Sequence, residues 1–252
     1  MSKGTYLGNK VPQLTIFFWV IKVLSTTVGE TFADFINGTL NFGLTGTSLL
    51  MSAILIAALI FQFKTKKYNP AIYWSVVVLM SITGTLLTDN LTDNFGVSLL
   101  LSTAIFAILL LATFAIWYRK ERTISIKNVN TRERESFYWL AILFTFALGT
   151  AAGDLVAERF NVGYGRSLLL FAAIILIFAI LWNQKVIVEE YAFWIIYILT
   201  RPLGASSGDF LSQSTKDGGL GLGAANTSWI YLTIISLLVI YLVKSKKDQI
   251  TS

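Results

Sequence analysis

The chain has no cysteine and no histidine. Their absence excludes disulfides, thiolate and imidazole metal sites, cysteine nucleophiles and histidine acid–base catalysis. Charge is scarce as well. Only 13% of the 252 residues are charged, against 55% hydrophobic. A soluble domain cannot cover its surface with so little charge. Proline occurs three times, as Pro12, Pro70 and Pro202. Phosphate-binding loops, Ser–His–Asp sets and zinc spacings are missing too. These absences argue against an enzyme and against a bound cofactor.

What the chain does have is repetition. WVIKVLSTTVGETFAD runs over 19–34, WSVVVLMSITGTLLTD over 74–89, WLAILFTFALGTAAGD over 139–154 and WIIYILTRPLGASSGD over 194–209. Each copy opens on Trp (Trp19, Trp74, Trp139, Trp194). Each reaches Gly after nine intervening residues and closes on a small residue followed by Asp. The copies are offset by 55, 65 and 55 residues. Four matches at fixed internal spacing define a tandem repeat.

Each repeat holds two apolar stretches of membrane-spanning length. The spacing predicts spans near 13–34, 44–63, 71–89, 97–118, 137–154, 166–182, 191–209 and 226–243. The expected fold is therefore an all-α integral membrane protein of eight transmembrane helices. It forms a single membrane domain over 1–252, with repeats 13–63, 71–118, 137–182 and 191–243 and a polar linker over 119–136. Two spans per repeat make the four repeats parallel. The net charge of +6 is unevenly placed. Fifteen Lys and Arg fall in the two tails and the inter-repeat linkers; Arg159, Arg166 and Lys216 fall on the opposite side. The positive-inside rule then places both termini in the cytoplasm. The charge reads as a topology signal, so no nucleic-acid partner is expected. The tail from Lys244 reads as a mobile basic end.

The two helices of a repeat differ. The second is almost purely aliphatic, as in LLLFAAIILIFAILW over 168–182, and suits lipid. The first carries the polar groups and must face protein or a cavity. This predicts an inner polar ring of the first, third, fifth and seventh helices. Gly29, Gly84, Gly149 and Gly204 each stand four residues before a second small residue, which suits close helix packing. The four Trp fit interface anchors or packing residues.

The candidate ion-binding residues are Glu30, Asp34, Asp89, Asp154 and Asp209. Glu30 and Asp34 share one helix face. Each Asp alone could be a solvated helix end, but four at one depth favour a shared polar site. Lys22 and Arg201 interrupt the repeat and are candidate charge partners for these acids. Together the seven leave three uncompensated negative charges if all are ionised. Such a cluster should take up protons or a cation. All-oxygen ligands suit a hard cation, with Glu30, Asp34, Asp154 and Asp209 as candidate metal ligands. Pro202 should kink the seventh helix.

The strings KVLSTTVGETFAD, WSVVVLMSITGTLLTD and RPLGASSGDFLS resemble a bacterial family of membrane proteins built of four two-helix repeats of unknown function. The resemblance covers about 13–243 and implies a multi-pass protein of the bacterial cytoplasmic membrane, with no activity attached. The residues themselves predict a secondary transporter for a small cation, a divalent metal with possible proton coupling. A cation channel with an outer Asp ring and a non-transporting scaffold are the alternatives. The expected partners are the lipid bilayer, a small cation or proton, and a possible second copy of the chain.

Overall fold

The computed structural model describes residues 8–249. Among them there are eight long helices and no strand. They are α1 (Ile16–Asp34), α2 (Leu44–Lys64), α3 (Pro70–Asp89), α4 (Leu99–Glu121), α5 (Arg132–Asp154), α6 (Tyr164–Asn183), α7 (Glu189–Ser212) and α8 (Ala224–Ser245). Seven of these are long and apolar enough to cross a membrane, as in a multi-pass membrane protein; α7, with Arg201 and Asp209, falls outside that set.

The odd-numbered helices form a closed ring in the order α1, α3, α5, α7 and back to α1. The even-numbered helices surround them, and each packs chiefly on the inner helix of the following repeat. Thus α2 packs on α3, α4 on α5 and α6 on α7, while α8 closes the cycle on α1. The last helix of the chain therefore performs for the first repeat what each earlier second helix performs for its successor. Leu49, Leu100, Leu169 and Leu237 of the outer helices are exposed, as an aliphatic helix in lipid requires.

Small residues let the inner helices meet. A Cβ added to Gly29 would stand 2.7 Å from Cβ of Ser81, and one on Gly84 would stand 2.6 Å from Cβ of Phe146. Gly149 abuts Arg201, and Gly204 abuts Thr26. Residues 26, 81, 146 and 201 occupy one position of the repeat. Each glycine thus receives the same position of the next inner helix round the ring. Beyond the expected backbone approach, Thr88 Oγ1 donates to the Ala147 carbonyl at 2.9 Å, so the second small position also fastens neighbours.

The segment after each Asp differs from a plain turn-rich connector. α1, α3 and α5 each run into a five-residue π-helical turn, over 35–39, 90–94 and 155–159. Asp34, Asp89 and Asp154 stand at the α-to-π junctions. In repeat four the α-helix instead continues past Asp209 to Ser212. The glycine-rich connector folds back there, with the Leu220, Leu222 and Gly223 amides donating to the carbonyls of Phe210, Leu211 and Ser212. α7 also runs unbroken through Pro202.

At the Trp end of the ring both tails are tied down as far as they are described. Lys10 is buried and donates to Glu135 Oε2 and to the Gln62 carbonyl, each at 2.6 Å. Asp248, expected in a mobile tail, is buried and accepts from the Tyr68 hydroxyl. Its carbonyl accepts from the Gln13 amide at 3.0 Å. The polar linker is shorter than its sequence suggests, because α4 extends through Glu121 and α5 begins at Arg132. Between them Ile124, Ile126 and Val129 are buried. Lys3, one of the charges used for topology, lies outside the described residues.

Candidate functional site

The inner helices bury residues at every fourth position. On α1 these are Phe18, Lys22, Thr26 and Glu30; on α3, Tyr73, Val77, Ser81 and Thr85. On α5 they are Tyr138, Ile142, Phe146 and Thr150; on α7, Phe193, Tyr197, Arg201 and Ala205. Asp34, Asp89, Asp154 and Asp209 stand four residues further on. Equivalent residues of the repeats thus stack as successive levels within the ring, from an aromatic end to an acidic end. A side chain repeating every four residues drifts about 40° round a helix at each step, because a turn holds about 3.6 residues. Such stripes stay in register only when neighbouring helices cross, as ridges of this spacing do when they interlock.

Arg201 sits at the third of these levels and reaches across the ring. Its Nη2 donates to Glu30 Oε2 at 2.9 Å, to Thr150 Oγ1 at 2.8 Å and to the Thr85 hydroxyl. Nη1 donates to the Thr26 carbonyl at 2.9 Å. Glu30, Thr85 and Thr150 are one position of the repeat in three different copies, and the fourth copy has Ala205 there. The small methyl stands at the position on Arg201's own helix. Arg201 is fully buried, and Glu30 is 7% exposed. Ion pairing and hydrogen bonding make burial of the guanidinium tolerable, since an unpaired charge there would cost several kcal/mol or more.

The expected pairing of Lys22 with an acid is not what the structure contains. Lys22 is fully buried, and its Nζ makes no hydrogen bond. It lies 4.1 Å from the ring centroids of both Phe146 and Tyr197. The cause is position. Lys22 stands two levels from Glu30, with the Arg201 guanidinium between it and the acids. Aromatic faces are the available counterpart, and a desolvated cation–π contact is worth roughly 2 kcal/mol.

The acids gather at the far end. Glu30 acts electrostatically on each of Asp34, Asp89, Asp154 and Asp209, and Asp34 acts on the other three Asp. Asp209 is buried, and the other three Asp are partly exposed. Among the described residues no three acids come together closely enough to ligate one metal ion. The candidate ligands Glu30, Asp34, Asp154 and Asp209 are therefore neighbours without forming a closed coordination shell.

Two acids missed in the sequence belong to this region. Glu158 acts on Asp34, Asp154 and Asp209, and Asp93 acts on Asp89. They occupy one repeat position, and π-helical turns carry both of them. That shared position was the available signal. The aromatic end had a plainer one. An aromatic residue precedes every repeat Trp, as Phe18, Tyr73, Tyr138 and Phe193. The Tyr73 and Tyr138 hydroxyls hydrogen-bond to each other, and the Phe18 and Phe193 rings lie 6.0 Å apart. The Trp themselves pack. Trp74, Trp139 and Trp194 are buried, and Trp194 Nε1 donates to the Ile124 carbonyl at 3.0 Å.

Four matches to one family model cover residues 17–68, 72–123, 137–184 and 192–248, and its description is a Repeat of Unknown Function (DUF347). The chain belongs to the DUF347 family. The DUF347 matches open close to the repeat Trp and reach past the second helix of each pair, so one family repeat corresponds to one inner and one outer helix. No curated protein and no solved structure matches the chain.

Proposed function

We propose that this DUF347 chain is a secondary carrier for a small cation in the bacterial cytoplasmic membrane. Its four repeats run parallel, with the Trp end and both termini in the cytoplasm and the Asp end outward. The distribution of Lys and Arg supports that orientation. The observation that carries the reading is the Arg201–Glu30 pair, set beside one Asp from every repeat. Arg201 acts as a tethered cation on Glu30. An arriving cation competes with it for the carboxylate, and the surrounding Asp supply the attraction. Entry of a divalent metal would require Arg201 to leave and the acids to close in. Release restores the Arg201–Glu30 pair.

A channel is the second reading. Against it stand Lys22 and Arg201, which place positive charge inside the ring, and the packed aromatic level at the Trp end. Uptake of Mg²⁺, Ca²⁺ and Mn²⁺ into proteoliposomes, with calorimetry on purified protein, tests the proposal. Saturable uptake with carrier-like turnover is expected, and Glu30→Gln should abolish it. Absence of both uptake and binding for every cation would leave the scaffold reading in its place.

A further inference from the structure

Besides the Lys10–Glu135 pair, the acidic end and Arg201 leave a titratable set unused on the other side of Arg201. Lys22 contacts the ring of Tyr197, whose hydroxyl is buried with no hydrogen-bond partner. Tyr138 lies within electrostatic reach of Tyr197 and hydrogen-bonds to Tyr73. The Tyr73 ring stands 5.5 Å from that of Tyr68. Tyr68 donates in turn to Asp248, in the tail beyond α8. Four of these groups belong to the four different inner helices, and the last two lie outside the ring. The series runs from the middle of the ring to its Trp end through side chains that all carry an exchangeable proton.

We propose that Lys22, Tyr197, Tyr138, Tyr73, Tyr68 and Asp248 form a proton path between the centre of the ring and the face that carries the termini. Lys22 is its inner acceptor. It has no carboxylate and no hydrogen-bonding partner, so it can exchange between ammonium and amine without breaking an ion pair. Tyrosine hydroxyls both donate and accept, which a relay requires. In inward transfer Asp248 gives up its carboxyl proton to Tyr68. Each hydroxyl accepts one proton as it passes its own onward, and the Lys22 amine becomes an ammonium. Every tyrosine O–H bond broken is remade and no tyrosinate accumulates; the net change is Asp248 to carboxylate and Lys22 to ammonium, and Asp248 takes its next proton from the face that carries the termini. Two hydrogen bonds of the path are formed, at Tyr73–Tyr138 and Tyr68–Asp248; the other three steps require a bridging water or rotation of a side chain.

The groups that face Lys22 allow this coupling. From α7 these are Tyr197 and Arg201, and Arg201 is the charged group that acts on it. Tyr73 of α3 and Tyr138 of α5 lie at the next level towards the Trp end. α8, also packed on α1, carries Tyr231, Tyr241 and Lys244. Movement of Arg201 away from Glu30 changes the field at Lys22 directly. The path rests on the carrier reading only for the identity of the ion whose movement it accompanies.

The experiment uses the full chain in proteoliposomes holding a trapped pH-sensitive dye, with an imposed pH gradient and a potassium–valinomycin clamp. Wild-type protein should conduct protons above the level of empty vesicles, with the acids beyond Arg201 completing the crossing from Lys22 to the opposite face. Tyr73→Phe, Tyr138→Phe and Lys22→Met should each lower that flux at least tenfold, and Tyr241→Phe, off the path, should leave it unchanged. Melting temperatures of the same samples check folding, and Asp248→Asn tests the entry end without altering the ring. No flux in the wild type overturns the proposal, as does wild-type flux in either inner Tyr→Phe variant or in Asp248→Asn. Loss of cation binding with proton flux intact would remove the carrier reading and keep the path. Cation uptake without proton movement would remove the path alone.

Discussion

Gly149 lies directly against Arg201. A Cβ on Gly149 would overlap Cβ and Cγ of Arg201 and stand 3.0 Å from Cδ of Pro202. The close approach of α5 and α7 and the placement of the buried guanidinium are thus one packing decision. Remove the space at residue 149, and Arg201 can no longer reach Glu30, Thr85 and Thr150 from its present backbone position.

Gly149→Ala should therefore destabilise the protein by about 1–3 kcal/mol, the usual cost of overpacking, and Gly149→Leu by more. Gly38→Ala is the control, because a Cβ there meets nothing within 4 Å. Thermal melting in detergent, followed by tryptophan fluorescence, checks both. Equal melting temperatures for Gly149→Leu and wild type would show that the helices are not close-packed at this point.

The Arg201–Glu30 pair predicts strong coupling between two substitutions. Glu30→Gln alone leaves a buried guanidinium without its counter-charge, and Arg201→Gln alone leaves the carboxylate. Breaking a buried pair from one side costs about 3–5 kcal/mol. The double variant should be more stable than the sum of the two losses, by an interaction of order 1–3 kcal/mol. A double-mutant cycle measured by chemical denaturation decides it, and strict additivity would argue that the pair is not formed.

Cation binding should fall at least tenfold in Glu30→Gln and in Asp34→Asn, read by calorimetry. Asp217→Asn is the proper comparison, since Asp217 is exposed and bonds only to Ser214 locally. Asp93 would be a poor control because it acts on Asp89. Equal losses at positions 30 and 217 would reduce the acids to a diffuse surface field.

The docked tail should respond to pH. Burial raises the pKa of Asp248 above the usual carboxylate range, against the opposing hydrogen bond from Tyr68. A raised value means that the folded state favours the protonated acid. The contribution to docking is therefore full at low pH and is lost as pH rises through the raised pKa. Hydrogen exchange at the Gln13 amide, which donates to the Asp248 carbonyl, should accelerate over that interval. Asp248→Asn should remove the pH dependence while keeping a hydrogen-bond acceptor.

Reporter fusions test the orientation. Fusions after Lys67, at Asn128 and after Lys247 should read cytoplasmic, and one at Asp217 external. A cytoplasmic reading at Asp217 would overturn the outward placement of the acids.

Helix number, repeat register and the helix-packing glycines were legible because each rests on local spacing. A span is a length of apolar chain, and a four-residue step puts two small side chains on one helix face whatever lies opposite. The four Asp and Arg201 were conspicuous for the same reason, as departures from an apolar background. What the tertiary structure decided was who meets whom. Periodicity along one helix does not say that α1 lies beside α3 and α7, nor that each outer helix docks on the following repeat. Nor does it say that Arg201 takes Glu30 with two threonines, while Lys22, screened from the acids by that guanidinium, rests between Phe146 and Tyr197. Those outcomes depend on ring order, on side-chain reach across the ring and on the need to compensate every buried charge. They exist only once four helices, distant in sequence, close on one another.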